Sequence, residues 1–316
     1  MKLPTHFISC DWGTTNFRLR LVTTDNLEIL AEQTVGEGVK ALFLARPDSS
    51  SAERERYLAT YLAERIRALP GAAEHPVVIS GMASSNIGLR ELPYATLPLT
   101  LDHPDLEWEA LTLPDNRPAV LISGVRDALD VMRGEETQAL GLAGGLAGYD
   151  RGVLLLPGTH SKHLQYETGA FTAFTTYLTG ELFALLTEHS LLRQAICKPP
   201  GGAFRAEAFQ EGVRAAVDQG LTARLFTVRA RQLLSHSDPT DNFFFLSGLL
   251  IGDELRSLHR PGSQVFLAAG EPFLTLYRLA LEEIVGLACI HCFSEPALDA
   301  ALLAGQRTML AAYVNG

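Results

Sequence analysis

A chain of 316 residues, 47% hydrophobic and 20% charged, has the composition of a soluble globular protein with room for about two domains. Its net charge of −10 argues against a nucleic-acid scaffold, which needs a basic face, but leaves room for a small anionic substrate in a local positive field. Four cysteines do not make a disulfide framework, no apolar run reaches the ~18–20 residues of a membrane span, and no charged leader precedes an apolar stretch. The expectation is a cytoplasmic protein that engages neither nucleic acid nor membrane.

The first functional signal is Asp11-Trp12-Gly13-Thr14-Thr15-Asn16, set between the apolar runs 6–10 and 19–22. Two apolar segments joined by a Gly/Thr turn read as a β-hairpin. Gly13 lets backbone N–H groups approach an anion, and Thr14, Thr15 and Asn16 can donate to it. Asp11 can hold a metal through water. A plain polar turn beside a buried Asp looks the same at this stage. Residues 27–35 suggest a third strand of the meander, and 51–69 has the apolar spacing of one helix face, with Ser51 near its start and Pro70-Gly71 at its end. The apolar run 76–82 enters a loop, 80–94, rich in hydroxyl and amide groups. It carries Ser80, Met82, Arg90 and Glu91, groups that a hydroxy-acid ligand requires. Another strand covers 119–124. Asp130, Arg133, Glu135 and Glu136 then gather at an expected helix start, more charge than a cap needs. The small-residue helix 139–146 reads as a crossover between domains.

A second α/β pattern follows. The buried strand 152–156 delivers Pro157-Gly158-Thr159-His160-Ser161-Lys162, and the chain turns again at 167–169. This is a second hairpin with a polar, Gly-containing tip, built like the first. Two such tips could hold the phosphates of a nucleoside triphosphate. Helices are expected at 179–192, 206–219 and 221–234, the last with a solvated basic face, and the Pro199-Pro200-Gly201-Gly202 break separates the first two. The very apolar stretch 243–253 reads as a buried helix and as the candidate interface of a homodimer. A strand at 264–270 ends in Gly270, where a glycine lets the backbone pass close under a flat adenine. The run 285–290 reads as a buried strand, so Cys289-Ile290-His291-Cys292 is taken as structural; no second pair completes a zinc site. A last helix, 296–313, would cross back towards the first domain.

Together these motifs resemble the actin/hexokinase/heat-shock-protein-70 ATPase superfamily and, within it, the 2-dehydro-3-deoxygalactonokinase family. The Asp130-Val131-Met132-Arg133-Gly134-Glu135-Glu136 and Pro157-Gly158-Thr159-His160-Ser161-Lys162 segments are the more particular matches; Thr179-Gly180-Glu181 and 246–252 extend it. The resemblance implies an α/β fold of two RNase H-like domains, 1–145 and 146–316, flanking a cleft. It implies ATP and Mg²⁺ as cofactors and a small sugar acid as substrate, phosphorylated on its primary hydroxyl. In that scheme Asp11 lies near the metal, and Gly13, Thr14, Thr15 and Asn16 form the first phosphate loop. Gly158 and Thr159 form the second, with Lys162 beside them, and Gly270 lies at the adenosine. Asp130 matches the general base. Arg18, Ser80, Met82, Arg90, Glu91, Arg133 and Glu135 are the substrate-side candidates. A kinase for another sugar or sugar acid, a non-catalytic ATP-binding module and a phosphoanhydride hydrolase remain open on sequence alone.

Overall fold

The computed structural model describes residues 2–72, 74–102, 104–199, 204–258 and 264–315. Two compact units form: Met1–Gly148 with Gly169–Ala173 and Pro296–Gly316, and Tyr149–Thr168 with Phe174–Glu295. No helix among the described residues is long and apolar enough to cross a membrane.

In the first unit, β1 (His6–Trp12), β2 (Phe17–Thr23) and β3 (Ile29–Val35) make an antiparallel meander. Helices α1 (Val39–Leu44) and α2 (Ser51–Ala68) follow. The cap of α2 is Ser50, one residue before the expected start. Its hydroxyl accepts from the Glu53 amide while the Glu53 carboxylate accepts from the Ser50 amide, a reciprocal capping box. Strand β4 (Val77–Gly81) then runs parallel to β1. Two short strands, β5 (Ala95–Thr96) and β6 (Leu99–Thr100), lead to β7 (Trp108–Thr112) and β8 (Pro118–Ile122), and β8 is parallel to β4. The sheet order is β3-β2-β1-β4-β8-β7. Its central strands are buried on both faces, which explains their near-continuous apolar runs. Leu58, Leu62 and Ile66 of α2 close one face against Trp12, Phe17 and Leu19. Burying such side chains is worth ~1.5–3 kcal/mol each.

Beyond β8 lies a small ribbon of β9 (Val125–Arg126) and β10 (Val131–Met132), with β5 alongside β9. Asp130 therefore stands at the turn of this ribbon, not at a helix N-cap. Helix α3 (Glu135–Gly141) starts only after Gly134, whose φ of +114° favours glycine, and α4 (Ala143–Leu146) follows it.

The second unit repeats the plan. Strands β11 (Arg151–Leu156), β12 (Ser161–Glu167) and β13 (Ala170–Tyr177) form the meander. The first residues of β13 belong to the first unit, where Ala170 and Phe171 pair with Thr100 and Leu99 of β6. Helices α5 (Thr179–His189), α6 (Ala206–Gln219), α7 (Leu221–Ser235) and α8 (Pro239–Leu255) come next. Strand β14 (Val265–Ala268) is parallel to β11, and after α9 (Phe273–Ile284) strand β15 (Ile290–Phe293) is parallel to β14. Both sheets thus have an antiparallel meander followed by two parallel strands beside its first strand, the RNase H-like order. The Pro200-Gly201-Gly202 part of the expected break lies outside the described residues.

Two expectations change. The strand expected at 285–290 begins only at Ile290, because Gly286 at φ +81° turns the chain and Leu287–Cys289 forms a 3-10 turn. Cys289 and Cys292 are free thiols in that stretch. The apolar residues of α8 expected at an interface are packed inside: Phe244, Phe245, Leu246, Leu249 and Leu250 lie in the unit's own core, where Gly212 and Gly248 let α6 and α8 approach backbone to backbone. The final helix, α10 (Glu295–Asn315), packs from Pro296 onward within the first unit.

Candidate active site

Sequence makes the first hairpin turn at Gly13, and the structure ties that turn down from one side. The amides of Gly38, Val39 and Lys40, at the start of α1, donate to the carbonyls of Thr15, Gly13 and Thr14 at 2.9, 3.0 and 3.2 Å. A Cβ on Gly38 would stand 2.4 Å from the Thr14 carbonyl carbon, so only glycine permits this closeness. The carbonyls are thereby committed, while Thr14, Thr15 and Asn16 are exposed. A tip so arranged presents donors outward, as an anion site must. Asp11 sits at its foot with Arg18 at 3.5 Å. Desolvation raises the Asp11 carboxyl above its ordinary value, with Arg18 and Arg20 pulling it back and Asp299 adding to the rise.

The second tip follows the same rule. The Glu181 amide, in the first turn of α5, donates to the Thr159 carbonyl at 3.1 Å, and His160 Nε2 lies 2.6 Å from Glu181 Oε2. A Cβ on Gly180 would meet the Gly158 oxygen at 2.7 Å and Thr159 Cα at 2.8 Å. Beneath this loop is a buried polar network that sequence reasoning missed. Glu254 accepts from Tyr277 at 2.7 Å and from Thr179, and pairs with His163 Nε2 at 2.8 Å. Tyr277 in turn bonds Ser161 Oγ at 2.9 Å. Burial, and the Glu254 charge beside it, push the Tyr277 hydroxyl well above its ordinary range. Glu254 gave no signal because it follows Asp253 at the polar end of an apolar helix, where a carboxylate is ordinary. Lys162 lies in β12, buried, with Nζ donating to Thr176 at 2.7 Å, so it belongs to the strand and not to the tip. A cavity of about 780 Å³ opens beside Thr159 and Gly180, walled by Phe183, Phe204, Phe243 and Phe244 and by Glu271 and Pro272, the residues directly after Gly270. Its size and aromatic walls suit a flat heterocycle.

On the substrate side the candidates separate. Ser80 is fully buried, and its hydroxyl accepts from Gln306 Nε2 at 2.9 Å, so it faces the last helix and not a ligand. Met82 packs against the core. Arg90 Nε donates to Glu55 at 3.2 Å, and the rest of its guanidinium is held by Glu55 and Glu109. Glu91 is exposed. Arg133 Nη1 donates to the Ser84 carbonyl at 2.6 Å and to its hydroxyl at 2.5 Å, with the guanidinium 4.2 Å over the Tyr94 ring. Glu135 Oε2 accepts from the Arg133 amide at 3.2 Å. Asp130 is half-exposed; its Oδ1 accepts from the Val131 amide at 2.7 Å, and its own amide donates to Asp127 Oδ1 at 2.7 Å. Glu136, quoted in the motif but given no role there, is completely buried. It accepts from the Gly134 amide at 2.6 Å and from Thr137 Oγ1 at 3.0 Å. Gly134 lies against Gly81, whose Cα would be 3.4 Å from a Cβ there. Segment 130–136 and loop 80–94 are therefore one surface of the first unit.

Duplicated RNase H-like sheets, each ending its first hairpin in a clamped, donor-presenting tip, define a protein of the actin-like ATPase fold. Comparison with known proteins narrows this. Residues 11–305 match the family described as 2-keto-3-deoxy-galactonokinase, and the chain belongs to that family. A Rhizobium meliloti (strain 1021) protein named as a probable 2-dehydro-3-deoxygalactonokinase is 33% identical over 98% of this chain and 99% of its own length. The 2-dehydro-3-deoxygalactonokinase of Escherichia coli (strain K12) is 31% identical over 99% of this chain and 100% of its own. A crystal structure from Sinorhizobium meliloti, assigned to the same kind of kinase, aligns with a TM-score of 0.80 at 32% identity, covering 98% of this chain and 99% of that one.

Proposed function

We propose that this chain transfers the γ-phosphoryl group of ATP to the primary hydroxyl of 2-dehydro-3-deoxygalactonate, giving the 6-phosphate in galactonate catabolism in the cytoplasm. The observation that carries the reading is the repeated tip: two hairpins each held by a helix start, through three carbonyls at the first and the Thr159 carbonyl at the second, with their outer residues left exposed. The first unit would carry the sugar acid and the first phosphate loop. The second would carry the second phosphate loop and, in its aromatic cavity, the adenosine.

Phosphoryl transfer has a loose, highly charged transition state, so positioning and charge neutralisation supply most of the rate. Amides of residues 14–16 and of Thr159 would donate to phosphate oxygens, while the Gly13 and Gly158 amides hold the tips themselves through Asn16 O at 2.9 Å and Ser161 Oγ at 3.4 Å. Asp130 would accept the proton of the attacking hydroxyl as its oxygen bonds to phosphorus and the bond to ADP breaks. The donor set at the first tip fits magnesium: one partly exposed carboxylate, Asp11, at the foot of a hydroxyl-rich turn suits an ion that keeps most of its water. Bound there, magnesium would neutralise phosphate charge. Gly270 would let the chain pass beneath the base, just ahead of Glu271 and Pro272 in the cavity wall.

A coupled ADP-release assay with product analysis tests the reading. The expected result is a sugar-acid 6-phosphate, with 2-dehydro-3-deoxygalactonate used better than its gluconate epimer. Free phosphate in place of the sugar phosphate, or ATP binding without turnover on any sugar, would overturn it.

A further inference from the structure

Four cations stand among the candidates for holding the substrate's carboxylate, and their partners set three of them aside. Arg18 lies 3.1 Å from Asp299 and 3.5 Å from Asp11. Arg90 is enclosed by Glu55 and Glu109. Lys162 is buried in its strand and donates to Thr176. Arg133 differs: among the described residues, no carboxylate lies within ion-pair distance of its guanidinium.

We propose that Arg133 grips the substrate carboxylate and thereby sets the preference for a sugar acid over a neutral sugar, an assignment that rests on the kinase reading above. Both Nη1 contacts go to Ser84, and the ring of Tyr94 lies under the guanidinium plane. Nε is buried, with no hydrogen-bond partner among the described residues. The side chain is thus fixed in direction and its charge partly desolvated, with Nη2 uncommitted and no counter-ion in reach among the described residues. Such a charge is costly in the free protein, and an arriving carboxylate offsets that cost through a charge-assisted hydrogen bond. A planar, preoriented guanidinium also loses little entropy in making the bond. The chemistry of the ligand fits the local order of the chain. The two-residue strand Val131–Met132 separates Arg133 from Asp130, so one short segment would carry the group for the acid end and the base for the hydroxyl end.

Calorimetric titration of wild type, Arg133→Gln and Arg133→Lys, in the presence of a non-hydrolysable ATP analogue, separates anchoring from loop support. The ligands are 2-dehydro-3-deoxygalactonate and its C1 carboxamide. Arg133→Gln is expected to weaken binding of the acid about 10- to 100-fold and leave the weaker binding of the amide essentially unchanged. Arg133→Lys, which keeps charge and a donor, should lose less on the acid and stands in if the Gln variant fails to fold. Equal loss on acid and amide makes Arg133 a loop clamp and overturns the proposal, as does no loss on either. If wild type itself neither binds nor phosphorylates the acid, the kinase reading falls and the anchor falls with it.

Discussion

Asp299, in the opening turns of the last helix, accepts from Arg18 Nη1 at 3.1 Å and from Arg20 Nη2 at 2.9 Å. Arg20 is buried, donates from Nε to Glu32 at 2.8 Å, and has one further nitrogen, Nη1, with no partner among the described residues. Arg18 is the same residue that approaches Asp11. The last helix therefore supplies the charge that balances the first hairpin. Asp299→Asn leaves Arg20 undercompensated and should cost about 1–3 kcal/mol, read as a lower Tm with the denaturant slope unchanged. It also frees Arg18 to pair fully with Asp11, so half-maximal activity should need more Mg²⁺. An unchanged Tm would show the pairings to be solvated contacts of no consequence.

Asp130 stands on a ribbon turn whose backbone is held by Asp127, so replacing its carboxylate need not disturb the fold. Asp130→Asn should retain the melting temperature and the KM for ATP while kcat falls about 10²- to 10⁴-fold, the usual worth of general acid–base assistance. A near-normal kcat would remove Asp130 from the base role.

Glu136 provides the pH test. Burial, and then the neighbouring charge of Glu135, lift its carboxyl from 4.5 to about 7. The folded protein thus keeps a proton that the unfolded chain releases above about pH 4.5, and stability must fall as pH rises from there to about 7, then level off. The full drop is on the order of 3 kcal/mol. Glu136→Gln should flatten this slope in urea titrations between pH 5 and 8. If the variant keeps the wild-type slope, another group carries the linkage.

The duplicated architecture was legible because both meanders announce themselves through apolar runs meeting at Gly13 and Gly158, and alternation survives without tertiary context. Element starts were less legible where one residue decides: Gly134 lets a helix start at Glu135, ahead of the expected 139, and Gly286 moves a strand downstream, both through positive φ, and a sequence does not reveal which glycines take it. Among site candidates, residue type pointed to guanidinium chemistry but could not say which arginine was already neutralised. Glu55 and Glu109, which enclose Arg90, lie on a helix and an edge strand far from it in sequence. Ser80 looked like a ligand group because it sits beside a Gly turn; only the return of the last helix, with Gln306, accounts for its hydroxyl. Long-range pairings of this kind carry no local periodicity.

Gly38 and Gly180 make the remaining prediction, because each is the point where a helix start touches a tip backbone. A Cβ at Gly38 would lie 2.4 Å from backbone atoms of Thr14 and Thr15, and one at Gly180 2.7–2.8 Å from Gly158 and Thr159. Backbone cannot yield as a flexible side chain can, so the tip itself must shift. Overpacking of this sort costs about 1–3 kcal/mol. Displacement of the phosphate donors should raise the KM for ATP roughly 10-fold or more in either alanine variant. The two sites should differ in what else they disturb. Gly180→Ala also presses on α5, which carries Thr179 into the buried Glu254 network, so it should lower Tm more than Gly38→Ala. Nucleotide titration followed by thermal melting of both variants checks the pair. Wild-type ATP affinity in both would show that the tips do not hold the phosphates.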